Sequence, residues 1–143
     1  MSNGNRGTNT SSAGLPAEKS TIKSYRDLKV SEQAMDLTVE CYKLTQRFPK
    51  TEVFGIVSQI RRSASSVPAN IAEGHGREGR AYFIQFLRVA QGSLKELETH
   101  LLLSARVGFL DDGESGPVLR RCSDVGKMLR GLIRALDART GRR

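Results

Sequence analysis

Gln59 to Arg80, QIRRSASSVPANIAEGHGREGR, is the stretch on which the fold turns. The apolar positions running into and through it, Val53, Val57, Ile60, Ala64, Val67 and Ile71, alternate spacings of four and three, the pattern of one buried stripe on an α-helix. Pro68 interrupts that run without shifting its phase. A chain that broke at the proline and restarted would have no reason to recover the same register, so the spacing predicts one kinked helix from Glu52 to Glu73. Thr51 is its expected N-cap, with Glu52 near the positive end of the helix dipole. Proline has no N–H, so the Ala64 carbonyl loses its intrahelical donor, and Ser65 and Ser66 are the nearby hydroxyls that can resatisfy the bent backbone.

The stretch ends in Gly74-His75-Gly76-Arg77-Glu78-Gly79, which spells G-x-G-x-x-G. In a dinucleotide site such glycines follow a β-strand and let a pyrophosphate approach the next helix. Here they follow a helix, so the spelling reads as a helix end and a short interhelical turn, with Gly74 as the expected left-handed cap. Arg77 and Arg80, beside the start of the next helix, are candidates to hold a phosphate there.

Working outward, the same spacing recurs on both sides. Val30, Ala34, Leu37, Cys41, Leu44 and Phe48 form the seam of a helix expected over Asp27 to Phe48 and stopped by Pro49. Phe83, Leu87, Ala90, Leu94, Leu97 and Leu101, closing with Ser104, form the seam of a third helix from Arg80 to Val107, where Gly92 and Ser93 leave room for another helix. The turn formers from Asp111 to Gly116 make the next connection, and Pro117 suits the first turn of a fourth helix with seam Val118, Cys122, Val125, Leu129, Leu132 and Leu136. Helices with short turns and matching seams predict an all-α, antiparallel up-down-up-down four-helix bundle over residues 25–140. Residues 1–24, rich in Gly, Ser, Thr and Asn, are expected to form a flexible tail.

Composition supports this. A chain of 143 residues with 38% hydrophobic and 27% charged residues, aromatics at 6% and no Trp suits one helical domain. The two cysteines, Cys41 and Cys122, both fall on seams and in no metal-ligand spacing. No apolar run is long enough to cross a membrane, and there is no hydrophobic signal core, so the expected setting is the cytoplasm, with no membrane contact.

Two outer surfaces carry the functional expectations. Tyr82, Val89 and Leu103, with Leu102 and Phe109 nearby, extend apolar character around the third helix beyond what one core needs, which predicts a homo-oligomer interface. Arg120, Lys127 and Arg134, seven residues apart, with Arg130 close by, line the outer face of the fourth helix. From Glu114 onward there are eight basic and three acidic residues, a net +5 of the chain's +8. That concentration fits RNA or DNA bound through phosphates, and equally an ordinary solvated face. Glu96 and His100 lie one turn apart, a spacing common on helices. With no nucleophile or third ligand nearby, no catalytic residue, metal ligand or cofactor is assigned, and Glu96 is expected to pair with Arg61 or Arg62 across the hairpin.

Phe48-Pro49, Gln59-Ile60-Arg61-Arg62, Val67-Pro68-Ala69-Asn70-Ile71-Ala72-Glu73-Gly74 and Gly76-Arg77, followed by Phe83, Phe86, Leu87, Ala90, Gly92-Ser93-Leu94, Glu96-Leu97-Glu98-Thr99 and Gly108-Phe109-Leu110, resemble the four-helix-bundle proteins encoded by intervening sequences of bacterial 23S ribosomal RNA genes. The resemblance spans Tyr25 to Leu136. It implies a non-catalytic bundle assembling as a ring-like homopentamer, and distant relatives that serve retroelements by binding a reverse transcriptase and nucleic acid. The leading expectation is a homo-oligomer binding structured RNA, or DNA, through Arg120, Lys127, Arg130 and Arg134, with Arg77 and Arg80 as secondary contacts. The alternative is a protein-protein adaptor or scaffold without direct nucleic-acid binding.

Overall fold

The computed structural model describes residues 25–141, and the expected tail at 1–24 lies outside them. Four helices follow in order: α1 Tyr25–Thr45, α2 Ile56–His75, α3 Arg80–Arg106 and α4 Asp112–Gly141, with a single 3-10 turn at Lys50–Glu52 between the first two. There is no strand among the described residues. Each helix packs on its sequence neighbour, and α4 closes the cycle against α1. Short turns between consecutive helices make the arrangement antiparallel, a four-helix bundle as the spacing predicts.

The core is built from the four seams. Val30, Ala34, Leu37, Cys41 and Phe48 of the first segment are buried, with Leu44 half-buried beside them. Val57, Ile60, Ala64, Val67 and Ile71 meet them from α2, every seam residue of α3 from Phe83 to Ser104 is buried, and α4 adds Val118 through Leu136. At one end, His75 of α2 lies 3.5 Å from the buried Asp27 of α1 and edge-on to Phe83 of α3. At the other, Phe48 packs on Phe109 with ring centroids 5.4 Å apart, and Arg47 bridges to Glu114.

Pro68 lies inside one continuous helix, as the unbroken phase requires. The carbonyl it orphans is satisfied from another helix and not by the serines. The Thr38 hydroxyl of α1 lies 3.0 Å from the Ala64 oxygen and 2.9 Å from the Ala34 oxygen. Ser65 instead donates to the Arg62 carbonyl. Ser66 meets Ser93 of α3 at 2.7 Å, a hydroxyl pair at the small-residue position of α3.

Several boundaries differ from expectation. The first helix ends at Thr45, and Gln46, Arg47 and Phe48 continue in tighter i to i−3 bonds before Pro49. Residues from Lys50 form the 3-10 turn, so Thr51 caps nothing, α2 starts at Ile56 after Gly55, and Val53 is exposed off the seam. Gly74 is no left-handed cap. It is buried inside α2, where an added Cβ would lie 2.6 Å from the Phe86 Cβ, so its role is close approach of α3. The positive φ needed at the turn belongs to Gly79, at 100°. Pro117 sits past the first turn of α4, which begins at Asp112. The start is set by a reciprocal capping box: the Glu114 N–H donates to Asp111 Oδ1 at 2.9 Å, and the Asp111 N–H donates to Glu114 Oε1 at 3.0 Å. That backbone donor, with the Arg47 guanidinium, holds the Glu114 carboxyl below its ordinary 4.5.

Candidate functional site

Arg120, Lys127, Arg130 and Arg134 are all exposed on α4, and none forms an ion pair with another described residue. Their neighbour Arg121 behaves differently: its Nε lies 2.9 Å from Glu40 of α1, and Asp36 is 4.0 Å away. α4 therefore spends one arginine on the bundle and leaves a row of cations facing solvent.

Two cations absent from the sequence-based site extend this surface. Arg88 and Lys95 lie seven residues apart on α3 and line a groove shared with Arg130 of α4. Their spacing is visible in the sequence. What joins them to α4 is the rotation of α3 about its own axis, which spacing within one helix does not fix. Both are lightly held, Arg88 at 3.5 Å from Asp137 and Lys95 at 3.6 Å from Glu98.

Arg77 is drawn to the other side of α3. It pairs with Glu73 at 3.0 Å and sits 5.4 Å over the Phe86 ring, so the structure does not bring it onto the α4 row. Arg80 is exposed at the start of α3 with no ion pair among the described residues. Neither Arg61 nor Arg62 meets Glu96. Arg61 turns to α1, where Nε donates to Thr45 Oγ1 at 2.9 Å and the guanidinium lies 4.6 Å from the Tyr42 ring centroid, while Arg62 donates to Gln59. α2 is flanked by two helices, and α1 offers both a ring and a hydroxyl oxygen that, while its proton goes to the Cys41 carbonyl, still accepts from Arg61.

The apolar residues assigned to an interface separate into three groups. Tyr82, Val89 and Leu103 are exposed and share one heptad register, adjacent to Ser93, which touches α2. Leu102 is exposed but continues the register of Arg88 and Lys95 on the flank toward α4. Phe109 is half-buried against Phe48 and belongs to the end of the bundle itself. A second stripe escaped the sequence reading: Leu28, Met35 and Tyr42, seven apart on α1, are exposed with Val39 between them. Phe54, 95% exposed in the α1–α2 connection, is the barest large hydrophobic side chain among the described residues.

Chemistry of the catalytic kind is sparse. His100 Nε2 lies 3.5 Å from Glu96 Oε2 on the exposed side of α3. Burial pushes the Cys41 thiol up to about 12, with Glu40 adding to the effect, and pushes Cys122 up as well. Such thiols are inert as nucleophiles. Among the described residues, no group of three or more His, Cys, Asp or Glu side chains could hold a metal ion, and no helix is long and apolar enough to cross a membrane.

These features define a class: a small antiparallel four-helix bundle with a basic row along one outer helix and apolar stripes on others. The chain belongs to the 23S rRNA-intervening sequence protein family, whose sequence profile matches residues 26–131. Among solved structures it is similar to a protein of unknown function from the S23 ribosomal protein family of Bacteroides thetaiotaomicron, at 26% identity and a TM-score of 0.66, over 73% of this chain and 97% of the other. No curated protein matches it.

Proposed function

We propose that this protein is a non-catalytic homo-oligomer that binds structured RNA, or DNA, by phosphate contacts. The observation that carries this reading is the row Arg120, Lys127, Arg130 and Arg134, exposed and without ion pairs among the described residues, in a chain of net charge +8. Exposed cations without an ion-pair partner among the described residues are available to neutralise a polyanion, and such contacts position a nucleic acid without reading its sequence. The stripes Tyr82, Val89, Leu103 and Leu28, Met35, Tyr42 favour self-association, since soluble monomers rarely leave that much apolar surface uncovered. Five subunits is the number the family resemblance suggests.

Fluorescence anisotropy with a labelled RNA hairpin tests the binding. Four phosphate contacts per subunit predict a log K against log salt slope of about −3 to −4. Reversing charge with K127E and R134E is expected to weaken binding at least about tenfold, and unchanged affinity removes the assignment. Light scattering on nucleic-acid-free protein tests the oligomer, and a monomer near 15.7 kDa removes that part.

A second reading, a protein adaptor, is favoured by Phe54, since a bare phenylalanine suits a protein pocket. Retention of no RNA or DNA at low salt by the purified protein selects it.

A further inference from the structure

Neighbouring helices in a bundle normally fill the space between them with side chains. Between α3 and α4 they do not. Gly92 of α3 and Gly126 of α4 leave an open groove of about 520 Å³, with Arg88, Lys95 and Arg130 among its walls and Glu98 as the single carboxylate. The two glycines play different parts. Gly126 is buried, and a Cβ there would rest on a Leu94 methyl at 3.4 Å, an ordinary contact at the floor of the groove. Gly92 is exposed, and a Cβ there would meet nothing within 4 Å. No packing among the described residues explains a glycine mid-helix, where it weakens the helix, but close approach of another molecule to the backbone would.

Resting on the reading of a nucleic-acid-binding bundle, we infer that the α3–α4 groove is a phosphodiester site, in which Arg88, Lys95 and Arg130 clasp the backbone of double-helical RNA while Gly92 lets it settle against α3. Three cations face one carboxylate, and Arg130 has no ion pair among the described residues. Arg88 and its partner Asp137 are each 56% exposed at a separation of 3.5 Å, a pair weak enough for a phosphate to displace. Guanidinium groups take phosphate oxygens two at a time, which a carboxylate at that distance does not offer. No aromatic ring lines the groove, so a splayed base finds no stacking platform, and the feature recognised is backbone. The adjoining row from Arg120 to Arg134 extends along about 21 Å of helix, a length suited to a polyanion and not to a small ion.

The test uses the full chain, a labelled RNA hairpin with a long stem, and labelled polyglutamate. Gly92→Met fills the groove without altering charge and replaces a helix-weakening residue by a helix-favouring one. It is expected to weaken hairpin binding about tenfold or more while oligomer mass and melting temperature hold. Arg88→Gln with Lys95→Gln, two exposed changes, is expected to make the salt slope shallower by about 2. Wild-type affinity in Gly92→Met, alongside lost binding after charge reversal at Lys127 and Arg134, overturns the groove and leaves the basic row standing. A change of oligomer mass with intact RNA affinity assigns Gly92 to a subunit contact and also overturns it. Equal affinity for polyglutamate overturns the phosphodiester assignment, and no binding of either probe by the wild type removes the groove together with the reading beneath it.

Discussion

Replacing Thr38 by Val isolates one buried hydrogen bond between α1 and α2. Thr38 is 8% exposed, and its hydroxyl reaches both the Ala34 and Ala64 carbonyls, at 2.9 and 3.0 Å. A hydroxyl has one proton, and the two acceptors are not equally in need of it. The Ala34 oxygen is offered the backbone N–H of residue 38 by the helix ladder. The Ala64 oxygen is offered nothing, because residue 68 is proline. Valine keeps the shape and close to the same helix propensity, so the substitution leaves the Ala64 carbonyl dry and unpaired, at a cost of about 1–3 kcal/mol. The decisive arm is Pro68→Ala, which returns a backbone donor to Ala64. In that background Thr38→Val should cost less than about 0.5 kcal/mol, giving a coupling of about 0.5–3 kcal/mol between residues on different helices. Urea unfolding by far-ultraviolet circular dichroism measures all four proteins, at one fixed concentration because self-association would add to stability. Additivity within about 0.5 kcal/mol refutes the account, since Thr38 would then matter without regard to the proline.

Gly74→Ala places a methyl 2.6 Å from the Phe86 Cβ, a backbone-proximal atom that cannot swing aside, and should destabilise by about 1–3 kcal/mol; the same change at Gly92, where nothing lies within 4 Å, should stabilise by about 0.5–1 kcal/mol. A smaller cost at Gly74 than at Gly92 contradicts the packing. Cys41 and Cys122 should resist alkylation at pH 8 until the protein unfolds, with labelling at the rate of free cysteine as the contrary result. Because burial raises the Cys41 thiol from 9.0 to about 12, the unfolded chain loses that proton first. Its contribution is thus fully present below pH 9 and declines between about 9 and 12, visible as a falling urea midpoint. Asp111→Ala removes the acceptor that caps α4 and should cost about 1 kcal/mol by the same assay. For Glu114 the lowered carboxyl means its contribution is present above 4.5 and is lost as pH falls through the depressed value, and Glu114→Gln should flatten that acid limb.

The seams were legible because helical spacing survives into the fold almost residue for residue, Leu44 and Val53 being the positions where a helix end loosens it. Gly74 was misread because a glycine near a helix end satisfies a cap and a close approach equally well, and only Phe86, contributed by the next helix, distinguishes them. The Asp111–Glu114 box was spelled in the chain as D-x-x-E, three residues apart, but a proline six positions on drew the helix start toward itself. The basic row on α4 could be seen because it lies on one helix. The groove could not, because Arg88, Lys95 and Arg130 meet only when two helices are set at a particular rotation.

That rotation gives α3 two unlike flanks. Tyr82, Val89 and Leu103 lie in the register beside Ser93, toward α2, while Arg88 and Lys95 lie toward α4. Subunits joined through the α2-side stripes of α1 and α3 would leave the α4 row and the groove uncovered in every copy. Assembly and polyanion binding then cease to compete for the same surface. On the proposed reading the two would reinforce one another, because each added subunit would present the same cations again, and a second contact on one nucleic acid would be made at the high effective concentration set by the first. Weak individual contacts suffice on such an object. Dissociating it by a charge placed at Val89, Val89→Glu, should therefore lower RNA affinity far more than the loss of any single arginine, although Val89 lies outside the groove lined by Arg88 and Lys95. Affinity that survives conversion to monomers would separate the two surfaces and show that one bundle binds alone.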